Sequence, residues 1–243
     1  IRRPTRSREG EAVSVARALP VLALAAALAI VASGFGTRFG VWDWRAGFTI
    51  LRWGTYTTFG VMALALVALL VPRLRARGPR ALVVALLLST SAASVPVVLL
   101  LQARALPLIN DITTDTANPP AFDAILPLRA AAPVPAGYAG ETAASAQRTA
   151  YPDIVPIVVA KAPGVAFDAA LTAARSLGWT IVATDADSGR IEATSTTSWF
   201  GFSDDVVIRV VPAQGGSRID VRSVSRVGKG DLGANAKRVR AFT

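Results

Sequence analysis

Three uncharged apolar runs stand in the amino-terminal half: Ala18 to Phe35, Thr55 to Val71 and Ala81 to Leu101. Crossing a hydrocarbon core about 30 Å thick takes a helix of roughly 17–25 apolar residues, so each run predicts a transmembrane span. The first run follows arginines and carries small residues at Ala32 and Ser33, a layout shared with signal peptides. Its length, and the spans after it, favour a membrane helix. Between the first two runs stand Trp42, Trp44 and Trp53 beside Asp43, Arg45 and Arg52. Indole next to charge marks the headgroup layer, so residues 40–53 are expected as an interfacial segment in contact with the membrane or a partner. Met62, alone of its kind, reads as filler between helices. Ser89, Thr90, Ser91 and Ser94 offer either close helix packing or bonds back to their own carbonyls near Pro96.

The arginines orient these spans. Arg2, Arg3, Arg6, Arg8 and Arg17 precede the first, and Arg73, Arg75, Arg77 and Arg80 separate the second from the third. Two spans lie between these groups, which places them on one side of the membrane. The other side holds Arg38, Arg45 and Arg52, offset by Asp43. The positive-inside rule makes the richer side cytoplasmic and sends everything after Gln102 outward, into the periplasm of a bacterium with two membranes. The net charge of +10 and pI near 11.2 therefore reflect topology, and nucleic acid is not expected as a partner.

The chain has no Cys and no His. Disulfides, thiol nucleophiles and an imidazole base are excluded, as is His-ligated haem. No cofactor, metal or catalytic residue is expected.

From Arg104 to Pro156 the sequence carries eight prolines and many alanines, which predicts an extended connector (104–156) lying free or along a partner. Within it, Asn110, Asp111, Thr113, Thr114, Asp115 and Asn118 are turn formers. Asp111 and Asp115 could offer oxygens to Ca²⁺, but their spacing is not that of a calcium loop. Residues 136–150 predict a short exposed helix.

The remainder, 157–243, alternates in ways that predict elements. Phe167, Ala170, Leu171, Ala174 and Leu177 recur at helical spacing. Strands follow at Trp179 to Ala183, Arg190 to Thr197, Val206 to Val211 and Arg218 to Val224, separated by short turns. Leu232, Ala236 and Val239 share the face of a last helix that Asp231 can cap. The expected fold class is a membrane all-α region of three helices followed by an α+β domain. In that domain a four-stranded antiparallel sheet carries two helices on one face. Ile191, Ala193, Ile208, Val210, Ile219 and Val221 are its candidate core.

Three constellations stand out between Trp199 and Phe242. SRVGKGD, residues 225–231, is a basic glycine loop entering a helix. With Arg222, Arg226 and Lys229 it suggests an anion site, or else a structural turn. Asp204 and Asp205 are neighbours on a strand and so face opposite ways, which suits an acid–base pair poorly. Together with Asp231 and Asn235 they are read as a structural polar cluster, one aspartate bonding Arg222 or Arg226 and the other capping the turn before it. Trp199, Phe200 and Phe202 form an aromatic turn that would tuck into the core, meet the bilayer or anchor a partner.

The runs FSDDVVIRV and IDVRSVSRVGKGDLGANAKRVRAF, with NDITTD, NPPAF, YPDIVP and GRIEATSTTSWFGF upstream, resemble the uncharacterised bacterial proteins grouped as domain of unknown function 1499. The resemblance covers about Leu108 to Phe242 and implies a domain boundary. It lends no activity, substrate or catalytic residue, though membrane spans precede the domain in some members. The function expected is that of a non-catalytic accessory subunit of a larger membrane complex, respiratory or photosynthetic. It would bind other membrane proteins and lipids from the bacterial inner membrane. The alternative is a periplasmic module for an anionic lipid or other anion.

Overall fold

The computed structural model describes residues 6–76 and 78–243, with side chains from Arg17 onward. Arg2, Arg3 and Arg77, and the side chains of Arg6 and Arg8, lie outside the described residues. The chain divides into two units: one holds the sequence up to Leu101 together with Ser198–Gly201, the other Gln102–Thr197 and Phe202–Thr243.

In the first unit, α1 (Arg6–Arg38), α2 (Trp44–Leu70), the single turn α3 (Pro72–Arg75) and α4 (Pro79–Ala105) follow one another. The last residues of α4 belong to the second unit. Three stretches are long and apolar enough to cross a membrane: Arg17–Arg38, Trp44–Leu70 and Pro79–Ala105. Residues 44–53, expected as part of a separate interfacial segment, are instead the first turns of α2. Asp43 starts that helix by accepting from Ala46 N at 2.9 Å. At 1.5 Å per residue α2 is roughly 40 Å long, so its ends outreach the hydrocarbon and can carry Arg45 and the tryptophans. Leu19 and Ala23 of α1, Val61 and Ala65 of α2, and Leu82 and Ala85 of α4 form a common buried seam. Ser94 Oγ bonds back to Ser91 O at 2.6 Å, while Thr90 Oγ1 reaches Met62 Sδ at 3.8 Å.

The second unit is the expected α+β domain, but its antiparallel sheet has six strands, not four. In chain order its elements are β1 (Asp111–Thr113), a 3-10 turn (Pro127–Arg129), α5 (Glu141–Ala150), β2 (Ile157–Val159) and α6 (Pro163–Ser176). The meander β3 (Thr180–Asp185), β4 (Arg190–Thr196), β5 (Ser203–Ala213) and β6 (Gly216–Ser225) follows, then α7 (Ala234–Phe242). The sheet runs β1-β6-β5-β4-β3, with β2 also on β6. β1 pairs with residues 222–224 of β6 and β2 with 217–219, so the two short strands lie end to end along its free side. Gly189 closes the β3–β4 hairpin at φ 67°, where a Cβ would sit 2.1 Å from Val210 O; only glycine fits.

Period-two alternation divides the sheet into two faces. Ile191, Ala193, Val206, Ile208, Val210, Ile219 and Val221 pack with Ala166, Phe167, Ala170 and Ala174 of α6 and with Ala236 and Val239 of α7. All six core positions expected from the sequence are buried there. The other face is not open. The proline-rich stretch expected as a connector crosses it, and Phe122 and Ile125 bury against Val207 and Val224. Its helix α5 is anchored as well: Gln147 accepts from Thr113 N at 2.9 Å and donates to Thr113 O at 2.6 Å, satisfying the edge of β1 as a strand would.

Candidate functional site

The face of the sheet beneath the proline-rich stretch is ionic. Glu192 on β4, Asp205 and Arg209 on β5, and Asp220 and Arg222 on β6 all point to it. Glu192, Asp205 and Asp220 are completely buried, and a buried carboxylate persists only when paired or hydrogen-bonded. Glu192 accepts from three successive amides, Asp123 N at 2.9 Å, Ala124 N at 3.2 Å and Ile125 N at 2.9 Å. Asp205 takes Arg129 Nη1 at 3.1 Å and Arg226 at 2.9 and 2.7 Å. Asp220 and Asp115 share Arg209 and Arg218, which closes a four-membered ring of alternating charge. These four groups line a shallow groove of about 270 Å³ with Asn118 and Val211.

Arg222 is the centre of the arrangement. Its Nε and Nη2 hold Asp111 at 2.9 and 2.7 Å, Nη2 also reaches Ala136 O at 2.8 Å, and Nη1 reaches Pro120 O at 3.2 Å. The rings of Phe122 and Tyr138 lie 5.1 and 5.4 Å from its Cζ, close enough for cation–π attraction. Beside it opens a cavity of about 330 Å³, lined also by Pro119, Ala121, Leu126, Ala136 and Gly137. The Tyr138 hydroxyl and Arg129 Nε are buried without an acceptor among the described residues. An unsatisfied buried donor costs about 1–3 kcal/mol. Burial, with Asp111 nearby, pushes the Tyr138 phenol up to about 12, against the opposing pull of Arg222. Burial lowers the Arg129 guanidinium, Asp205 opposes this, and Arg226 and Arg222 add to it. The hydrogen bonds that Arg226 donates to Asp205 raise its own guanidinium.

The sequence-derived anion site is not assembled. Arg222 is enclosed by Asp111 and backbone carbonyls and Arg226 is committed to Asp205, while Lys229 is exposed. Asp111 and Asp115 likewise spend their oxygens on guanidinium groups and, for Asp115, on the amides of Ala117 and Asn118.

Asp204 and Asp205 do face opposite sides. Asp205 bonds Arg226, but Asp204 meets Arg238 of α7 at 2.6 Å and caps no turn. Asp231 accepts from Gly233 N at 2.8 Å and Asn235 N at 2.7 Å. Burial raises its carboxyl while those two amides pull it down. Asn235 joins Ser223, Ser225 and Asn110 O.

The aromatic residues part company. Trp199 and Phe200 belong to the first unit, where Trp199 Nε1 donates to Val31 O at 3.0 Å and Phe200 stacks on Phe48 at 5.0 Å. Phe202 is in the second unit, its N donating to Thr197 Oγ1 at 2.8 Å. Trp42 donates to Ser33 O at 3.1 Å, Trp44 meets Phe48 edge-on under Arg45, and Trp53 is exposed beside Tyr56. Sequence reasoning missed Phe122, Arg129, Tyr138 and Gln147, which sit at irregular spacing among prolines and alanines.

No curated protein and no solved structure matches the chain. A family model matches residues 111–243, from β1 to the last residue and more than half of the sequence. The ionic face, its proline-rich cover and the helices behind the sheet all fall within that match, and the chain belongs to the family described as protein of unknown function, DUF1499.

Proposed function

We propose that this chain is a non-catalytic subunit of a larger membrane assembly, held by its three apolar helices, with the family domain on the periplasmic side of a bacterial inner membrane. The observation that carries the reading lies within the first unit. A groove of about 390 Å³ runs between α1 and α2, floored by the small residues Ala25, Ala26, Ala29, Gly54 and Thr57 and rimmed by Leu22, Ile50 and Trp53. In hydrocarbon, helices associate by close packing, and small residues let backbones approach. The occupant that fits is an apolar helix of another membrane polypeptide. Sidedness rests on the arginine distribution, heavier before α1 and between α2 and α4 than between α1 and α2.

Isolation of the full chain from its native membrane in mild detergent tests this. Co-migration with a second membrane polypeptide, lost in Ala29→Phe, is expected. A clean monomer, a homo-oligomer alone, or a complex indifferent to Ala29→Phe contradicts it.

A further inference from the structure

One end of the sheet is where the chain enters the second unit. β1 begins there with Asp111 opposite Val224, and Ser225 N donates to Asn110 O at 2.9 Å. Only Leu106–Asn110 separate β1 from the apolar helix α4, and Leu106 already packs against the core. The turn between β4 and β5 lies at this end too, and its Ser198–Gly201 belong to the first unit. Exposed leucines gather at the same end. Leu108, which a Cβ on Gly230 would meet at 3.3 Å, is 74% exposed. Leu128, whose carbonyl accepts from Arg226 Nη1 at 3.3 Å, is 58% exposed. Leu232, just before α7, is 42% exposed, and Lys229 is exposed in the same loop. Leu232 is also the one non-glycine residue with positive φ among the described residues, at 54°. There the Cβ crowds the following carbonyl, and glycine or asparagine is favoured. Neither backbone preference nor burial in the core accounts for a leucine at this position.

We infer that this end of the domain is a lipid-binding surface seated on the bilayer, with Leu108, Leu128 and Leu232 in the interfacial layer and Lys229 among the headgroups. The length of α4 identifies the occupant. Its uncharged run ends at Leu101, and the helix ends at Ala105. Those last residues add about 6 Å, comparable to one headgroup layer of about 5–7 Å. The chain therefore enters the domain at headgroup depth, and Leu108 follows three residues later. A lysine beside leucines lays its stem on apolar surface and keeps its ammonium at the headgroups. The opposite end of the sheet carries Asp185 and Asp187 in the β3–β4 hairpin, which anionic headgroups would repel. The inference rests on membrane insertion of the apolar helices, as proposed above, and is independent of any second polypeptide.

The chain has no cysteine, so single ones can be placed and labelled with bimane. The full chain is reconstituted in vesicles of phosphatidylethanolamine and phosphatidylglycerol. Their acyl chains carry a nitroxide quencher near the headgroup in one preparation and at mid-chain in another. Leu128→Cys and Leu232→Cys report on the proposed surface. Val158→Cys, 66% exposed on β2 toward the other end of the sheet, is the control within the domain, and Leu64→Cys on α2 reports on insertion of the helices. Interfacial apolar groups lie about 5–10 Å deep, so headgroup-proximal quenching at Leu128→Cys and Leu232→Cys should exceed that at Val158→Cys about threefold or more. Either leucine site quenched no more than Val158→Cys, while mid-chain nitroxide quenches Leu64→Cys, overturns this inference alone. No quenching at Leu64→Cys overturns the membrane reading on which it rests.

Discussion

Arg222 on β6 grips both carboxylate oxygens of Asp111 on β1, at 2.9 and 2.7 Å, with both side chains buried. The pair spans 111 positions of sequence and fixes the first strand after the apolar helices to the last strand of the sheet. Breaking a buried pair leaves a naked charge and costs about 3–5 kcal/mol, whereas replacing both members with apolar groups is often neutral. Asp111→Ala should therefore destabilise the second unit by that amount in chemical denaturation. The double variant Asp111→Leu, Arg222→Met should recover most of the loss.

Glu192 gathers the amides of residues 123–125, which pins the proline-rich cover to β4. Glu192→Gln keeps the shape but removes the charge and one acceptor oxygen. A loss of roughly 1–3 kcal/mol is expected, seen as faster hydrogen exchange at those three amides before the strands of the sheet exchange.

Gly34 makes room for Trp199: a Cβ there would stand 2.2 Å from Trp199 Nε1. Gly34→Val should expel the indole and break its bond to Val31 O. Phe200→Ala should cost about 3–5 kcal/mol through the lost contact with Phe48. In both variants proteolysis between Thr197 and Phe202 should accelerate.

The phenol of Tyr138 ionises late because burial, then Asp111, disfavours the phenolate. Its folded value, about 12, is above the ordinary 10.0, so the folded state holds a proton that the unfolded chain releases. The stabilisation this represents is complete below pH 10 and is lost as pH rises through about 12. Phenolate absorbance should show this late component in the wild type, and Tyr138→Phe should remove it and flatten the alkaline loss of stability.

Elements with a strong period were legible from residues alone. Uncharged runs marked the three long apolar helices, and alternation marked β4, β5 and β6 with the correct buried face. The 104–156 stretch was not legible, because its contribution to the fold comes from single residues at turns. Ile125 is fully buried, Glu192 bonds to the amides around it, and Gln147 imitates a strand, none of which leaves a periodic trace. β1 and β2 are three residues long and exist only because β6 offers a free side. The start of α2 was misread because Arg45, Arg52 and Trp53 resemble a polar break. A helix longer than the hydrocarbon is thick accommodates them in its first turns. At the candidate site Arg222 and Arg226 were visible as charges. Asp205 was among the expected partners of Arg226, but Asp111, which neutralises Arg222 from 111 positions away, could not be read from spacing.

The groove between α1 and α2 can be probed in place. A diazirine-bearing residue of leucine size at Leu22, on the rim, can be activated in native membranes and its adduct identified by mass. The account predicts one discrete adduct with a different membrane polypeptide. Adducts with lipid alone, or with a second copy of this chain, would contradict it.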